Sequence, residues 1–250
     1  LGQISQGYDY EKKPSEKILT HAQALAADSH FKLLGGVDPC SRIRKKFETK
    51  FGCKAFASVE EAAFEAEVDV LVIATPTEAH WSAFELALVN FSPTAILCEK
   101  PLSINSIEAK QMVSLCEERG VKLFVNYIRR SDPAIQALKS KLMNREITYP
   151  FSGTCWYSGG IYNSASHFCD LFQFLFGEPK SWEARSKFKF NQNPSDPHAD
   201  FSVEFQNGCV EFKPVPNQQV FYNRFELVFS NCVVSYRQNS DLELYMQENR

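Results

Sequence analysis

The chain of 250 residues is 44% hydrophobic and 23% charged, an ordinary globular composition with length for one large domain or two modest ones. A net charge of −3 leaves no basic footprint for nucleic acid and no polybasic membrane patch, and no run nears the roughly 18 apolar residues that span a bilayer. Eight cysteines without any C-x-x-C spacing exclude a zinc knuckle or a thioredoxin-type motif; several sit in apolar runs and read as reduced core residues. No metal site and no basic-then-apolar leader are expected, and the composition suits a cytoplasmic protein.

The sequence opens on LGQISQGYDY, where Gly2 and Gly7 bracket small and polar residues like the middle of a glycine-rich loop. Such loops follow a buried strand, so a first strand is expected to be missing ahead of Leu1. A helix is expected from Ser15, with Pro14 before it and ILTHAQALA as its body. FKLLGGVDP then reads as a strand ending in Asp38. In a dinucleotide fold an acid there accepts hydrogen bonds from ribose hydroxyls; it is also a good helix N-cap with Pro39 at N1. On the helix Pro39–Lys50, Arg42 and Arg44 are within reach of a 2′-phosphate or are solvated charges.

Ser58–Glu61 forms a capping box. VDVLVIATPT is a continuous buried strand closed by Thr75 and Pro76, and Thr77 can cap the helix that carries His80. Thr94–Cys98 is another strand and delivers Glu99, Lys100 and Pro101. The helix Ser106–Glu118 stops at Gly120, VKLFVNY is a further strand, and Asp132-Pro133 opens a helix through Met143. Continuous strands alternating with helices predict a doubly wound parallel sheet, with Asp38, Thr75, Pro76, Glu99, Lys100, Asn126 and Tyr127 at the strand ends where ligands bind.

The texture changes after about Tyr149. FSGTCWYS alternates like a strand, and DFSVEFQNGCVEFKPV turns at Asn207-Gly208, a strong hairpin signal. FELVFSNCVVSYRQ turns at Ser230-Asn231, and LELYMQE adds one more strand. These predict an α+β domain with one large, open, mainly antiparallel sheet. Its exposed face is expected to be rich in Phe, Val and Tyr and to favour a homo-oligomer, a dimer or tetramer. The division is placed at 1–127 for the dinucleotide-binding domain and 128–250 for the substrate and oligomerisation domain. NQNPSDPH, ending at His198, reads as a loop.

Between those strands lies GGIYNSASHFCD, from Gly159 to Asp170. The glycine pair suits a tight turn where backbone approaches a ligand. In a helix, Asn163 and His167 are spaced i, i+4 and Asp170 follows at i+3, so all three share one face. A satisfied core network is the rival explanation for that stripe.

GQISQG, VDP at 37–39, VLVIATPTEAH at 70–80, LCEKPLS at 97–103, NYIRR at 126–130 and GGIYNSASHFCDLFQFLFGEP at 159–179 occur in the order of the Gfo/Idh/MocA family of nicotinamide-dependent oxidoreductases, which the chain resembles. The resemblance implies a Rossmann-like domain binding NAD, with NADP possible, and hydride transfer to or from a hydroxyl carbon of a sugar, sugar acid or nucleotide sugar. It implies Lys100 and His167 as catalytic residues, His167 as general acid/base, and a cis peptide before Pro101. Cofactor contacts would come from Gly2, Gln3, Ile4, Asp38, Thr75, Pro76, Thr77, His80, Glu99 and Lys100. Substrate contacts would come from Tyr127, Arg129, Arg130 and Asn163. Asn163 stands where many members carry Asp, and the carboxyl-terminal half is short for the family. A non-catalytic dinucleotide- or sugar-binding regulatory protein on the same fold is therefore the alternative. Asp170 is assigned structural support.

Overall fold

The computed structural model describes residues 18–65, 67–188, 196–216, 222–237 and 241–246. The glycine loop with Gly2, Gln3 and Ile4, and the start expected for the first helix at Ser15, lie outside the described residues. The chain forms two compact units, Leu1–Asn126 and Tyr127–Arg250.

In the first unit, described helix α1 (His21–Ala27) is capped by Thr20, whose hydroxyl accepts from the Gln23 N–H at 3.2 Å. Strand β1 (Gly35–Val37) pairs in parallel with β2 (Lys54–Phe56), and α2 (Ser41–Phe51) links them. β3 (Val70–Ile73), β4 (Ala95–Cys98) and β5 (Lys122–Val125) form a second parallel sheet. Among the described residues no strand joins the two groups. The expected doubly wound pattern is thus present as parallel sheets of two and three strands. In doubly wound folds, consecutive strands are not spatial neighbours where the strand order reverses.

Helices α3 (Val59–Ala63), α4 (His80–Asn90) and α5 (Ser106–Arg119) complete the unit. Ser58 caps α3 as the capping box predicts, its hydroxyl accepting from Glu61 N–H at 3.3 Å. Gly120 ends α5 in the left-handed region at φ 67°. Phe84 and Leu88 of α4 and Met112 and Cys116 of α5 pack on Ile73, Ile96 and Cys98 of the sheet. That apolar layer fixes the strand ends from which the polar residues project.

The second unit has a seven-stranded sheet in the order β12-β11-β10-β6-β9-β8-β7. Its strands are β6 (Phe151–Tyr157), β7 (Ser181–Phe188), β8 (His198–Phe205), β9 (Gly208–Pro214), β10 (Arg224–Phe229), β11 (Cys232–Arg237) and β12 (Asp241–Met246). All neighbours are antiparallel except β6 and β9. Helices α6 (Pro133–Met143) and α7 (Ser166–Phe176) bring Ile135, Leu138, Phe168, Leu171, Phe172 and Leu175 into one core with the inward residues of the sheet. Asp132 caps α6 by accepting from Ala134 N–H, with Pro133 in the first turn.

Two expectations about this sheet change. The β8–β9 turn is Gln206-Asn207, because Phe205 pairs with Gly208. None of these residues has a positive φ, so the turn is not of the primed type that Asn-Gly usually signals. Gly208 is required for contact instead: a Cβ there would stand 2.1 Å from the Phe151 carbonyl oxygen, across the parallel β6–β9 pair. The outer face is also not the Phe-, Val- and Tyr-rich surface expected. Strand alternation sends Phe201, Phe212, Phe225, Phe229 and Tyr236 inward. Outward lies a charge ladder in which Lys213 bonds Asp200 and Glu211, and Arg185 bonds Glu211, with Arg224 stacked over Trp156.

Candidate active site

In the first unit, Asp38 follows β1, and its Oδ1 accepts from Cys40 N–H at 2.8 Å. The turn so formed starts α2 at Ser41, with Cys40 as the cap position, rather than at Pro39 with Asp38 as N-cap. Arg44 Nη1 donates to the carbonyls of Asp38 and Pro39 at 2.7 and 2.8 Å, which occupies that guanidinium locally. After β3, Thr77 begins a short 3₁₀ turn (Thr77–Ala79), and α4 follows at His80 without a side-chain cap. His80 is buried; its Nε2 lies 3.0 Å from the Thr75 carbonyl, and its Nδ1 lies 3.0 and 3.2 Å from those of Pro101 and Leu102. The ring therefore braces the loop after β3 against the loop after β4. The Lys100–Pro101 bond is cis, as the resemblance implies.

Glu99, immediately before Lys100, is buried in a polar socket. Its Oε1 accepts from His21 Nε2 and Asn126 Nδ2, both at 2.7 Å, and its Oε2 from Lys100 N–H at 3.3 Å. Burial pushes the carboxyl up, but the hydrogen bonds from His21 and Asn126, the His21 charge and the Lys100 amide together hold it below its ordinary 4.5. A depressed folded value means that the socket stabilises the fold fully above about pH 4.5 and progressively less as pH falls through the folded value. Glu99→Gln should therefore flatten the acid limb of stability below about pH 4.5. Denaturant midpoints across that range check this; an equally steep limb in the variant would contradict it. Next to the socket, burial pushes the Cys98 thiol up to about 12, so this cysteine stays protonated and inert, a packed core atom.

These residues suit a dinucleotide. A carboxylate at the end of β1 matches ribose hydroxyls, and exposed Thr75 and Pro76 border the end of β3. The Glu99 carboxylate is occupied inside the unit and acts on the site through the loop it anchors.

In the second unit, Ile161–Ala165 is a wide π turn, with Ala165 N–H bonding Gly160 O at 3.2 Å, and α7 starts only at Ser166. Asn163 therefore stands outside the regular i, i+4 stripe expected for it, exposed, while His167 is half-buried in the first turn of α7. π turns of this kind occur often at functional sites. The His167 ring meets Tyr127 edge-on, with centroids 5.7 Å apart and planes at 88°. Burial raises the Tyr127 phenol, opposed by the Ser166 hydroxyl bonded to it.

The two arginines of NYIRR differ. Arg130 makes a two-pronged pair with Asp170, Nε to Oδ2 at 2.7 Å and Nη2 to Oδ1 at 2.5 Å, which gives Asp170 a bracing part. Arg129 lies with Cζ 4.7 Å from the Phe168 ring centroid, and its buried Nε has no hydrogen-bond partner among the described residues.

Gly159 and Gly160 hold φ of 97° and 92°, so the glycine requirement is real. The group that approaches them is the protein's own. A Cβ on Gly160 would lie 2.3–2.5 Å from the Asp196 carboxyl atoms. Asp196 and His21 were both missed from sequence. His21 meets a partner 78 residues away and leaves no local signal. For Asp196 a signal existed: GGIYN begins a helical segment with no capping side chain of its own, so its amides need an acceptor from elsewhere.

Residues 18–127 match the oxidoreductase family with an NAD-binding Rossmann fold, GFO_IDH_MocA. UDP-N-acetylglucosamine 3-dehydrogenase from Acidithiobacillus ferrooxidans is 35% identical over 119 residues, covering 48% of this chain and 36% of that enzyme. An inositol 2-dehydrogenase from Rhizobium meliloti is 25% identical over 174 residues, covering 63% and 51%. The chain thus spans from about a third to half the length of these relatives. The solved structure of the WlbA dehydrogenase from Bordetella pertussis, in complex with NADH and UDP-GlcNAcA, matches with a TM-score of 0.77 at 19% identity, over 92% of this chain and 78% of that one. This likeness is one of fold and extends through both units. Among the described residues no helix is long and apolar enough to cross a membrane. Over residues 18–127 the chain is thus similar to the Gfo/Idh/MocA oxidoreductases, a family described by its NAD-binding Rossmann fold.

Proposed function

We propose that the protein is an NAD-dependent oxidoreductase moving a hydride between the cofactor and a hydroxyl-bearing carbon of a sugar, sugar acid or nucleotide sugar. The observation that carries the reading is His167, set edge-on to Tyr127, in a chain whose other unit matches an NAD-binding Rossmann family. The named relatives, dehydrogenases of an N-acetylglucosamine nucleotide and of inositol, support the substrate class.

NAD, when bound, supplies a nicotinamide ring that accepts the hydride. His167 takes the proton from the substrate hydroxyl as the carbonyl forms, work suited to an imidazole near neutral pH. Lys100 is the second catalytic residue, its ammonium suited to stabilise negative charge on a substrate oxygen. Asn163 orients the substrate and exchanges no proton. Asp38 prefers a free ribose hydroxyl and repels a 2′-phosphate, and Arg44, held on two carbonyls, does not offset it; this favours NAD over NADP. Arg129 binds a carboxylate or phosphate of the substrate. Domains meeting at 127/128, a homo-oligomer joined through the open sheet, and a cytoplasmic location belong to the same proposal. Outside the charge ladder, Val228 and Tyr245 stand exposed on β10 and β12 of that sheet and support the oligomer.

Mixing the protein with NAD and a carbohydrate panel, neutral and anionic, while following the reduced-nicotinamide absorbance tests this reading. Reduction with an anionic sugar is expected. Arg129→Gln should raise its KM about tenfold or more, in line with a lost charged hydrogen bond, with a smaller change in kcat. Binding of dinucleotide and sugar without reduction would favour the regulatory alternative.

A further inference from the structure

We propose that Asp196 is a positioning residue for His167: its carboxylate clamps the start of the segment that carries Asn163 and His167. The proposal rests on the reading of His167 as the proton acceptor.

A helical segment begins with amide groups that have no partner inside it, and Ile161–Ala165 has no capping side chain of its own. All three leading amides are satisfied from one place in the chain. Ile161 N–H donates to Pro197 O at 3.0 Å, Tyr162 N–H to Asp196 Oδ1 at 2.7 Å, and Asn163 N–H to Asp196 Oδ2 at 3.2 Å. Asp196 is only 9% exposed. Its approach is close enough that Gly160 must lack a side chain, since any Cβ would overlap the carboxylate. A negative group at a helix start is also favoured by the helix dipole.

The clamp is itself held from behind. Two residues on, the His198 ring stacks on Tyr157 of β6, with centroids 6.2 Å apart and planes at 8°. The Tyr157 hydroxyl donates to Ala199 O at 2.7 Å and accepts from Ala199 N–H at 3.0 Å. Asp196 is thus fixed to the sheet, and through it the π turn is fixed to the sheet. One turn later comes His167, on a helix whose neighbouring Phe168, Leu171 and Phe172 are fully buried. A helix moves as a unit, so release of its first amides displaces the imidazole. Displacements of about 1 Å in a reacting group can cost on the order of 100-fold in rate.

The test compares Asp196→Ala, Asp196→Asn and His167→Asn in the intact protein, measuring kcat, both KM values and the folded fraction by thermal melting. Asp196→Ala should lower kcat per folded molecule by about tenfold or more, leaving KM for the dinucleotide within about twofold. Asp196→Asn keeps one acceptor oxygen and should recover part of the loss. A kcat in both Asp196 variants equal to wild type, while His167→Asn is inactive, would overturn the clamp and leave the His167 reading standing. So would a loss that tracks only the unfolded fraction. If Asp196→Ala does not fold, the Asn variant decides: an intermediate kcat supports the clamp and a wild-type kcat overturns it. Turnover retained by His167→Asn would overturn the underlying reading, and the proposal with it.

Discussion

His167→Asn and Lys100→Ala are each expected to lower turnover about 100-fold or more, the scale on which acid/base groups act. The two residues come from different chemistry and different parts of the chain. Lys100 follows Glu99, whose carboxylate is locked by His21 and Asn126, and precedes Pro101, whose carbonyl is held by His80. Its backbone therefore has anchors on both sides. His167 has Tyr127 against its ring and a buried helix behind it. Steady-state kinetics on the wild type and the two variants checks this. Near-wild-type kcat in both single variants would remove the assignment.

Phe172→Ala should destabilise the second unit by about 3–5 kcal/mol, the range for an aromatic ring deleted from a close-packed core. Phe172 is fully buried on α7, with Phe212 and Phe225 of the sheet meeting it edge-on at centroid distances of 5.8 and 5.2 Å. Phe176 follows on the same helix face, 6.1 Å away. Each of these rings is held by the others, so little collapse can fill the space left behind. Phe174 is the contrasting case. It is half-buried beneath Arg130 and Lys139, and Phe174→Ala should cost less than half as much. Urea unfolding of both variants gives the comparison; equal costs would show that the layer is not packed as described.

Much of the fold was legible because its elements carry their own signals. Continuous apolar runs marked β3, β4 and β5, Gly120 marked the end of α5, and Asp132-Pro133 opened α6. Alternation marked β6, and the turn signals at Asn207-Gly208 and Ser230-Asn231 marked β8 through β11. What the sequence could not show were choices made by distant partners. Asn207-Gly208 has the residues of a primed turn, yet Gly208 is set by the Phe151 carbonyl 57 positions earlier in the chain. The phenylalanines that suggested an exposed interface are turned inward by a register that only the pairing of β6 with both β9 and β10 fixes.

The candidate site divides in the same way. Its residues sit where local signals put them, at strand ends and on an apolar helix. Their partners do not. Arg129 and Arg130 are adjacent and chemically alike, but Asp170 holds only Arg130. The stretch from Ile161 to His167 reads as a regular helix by spacing, and a π turn replaces its start because Asp196 and Pro197 supply the acceptors. Glycines read as space for a ligand instead admit that carboxylate.

Hydride transfer from a substrate carbon can be followed by isotope tracing. A sugar found to be turned over, or failing that each sugar found to bind, is labelled with deuterium on its hydroxyl-bearing carbon and incubated with the protein and NAD. The deuterium is expected to appear in the reduced nicotinamide, and His167→Asn to abolish this transfer while dinucleotide binding persists. Dinucleotide and sugar both bound, with no label in the nicotinamide at any protein concentration, would contradict it and leave a binding protein on an oxidoreductase fold.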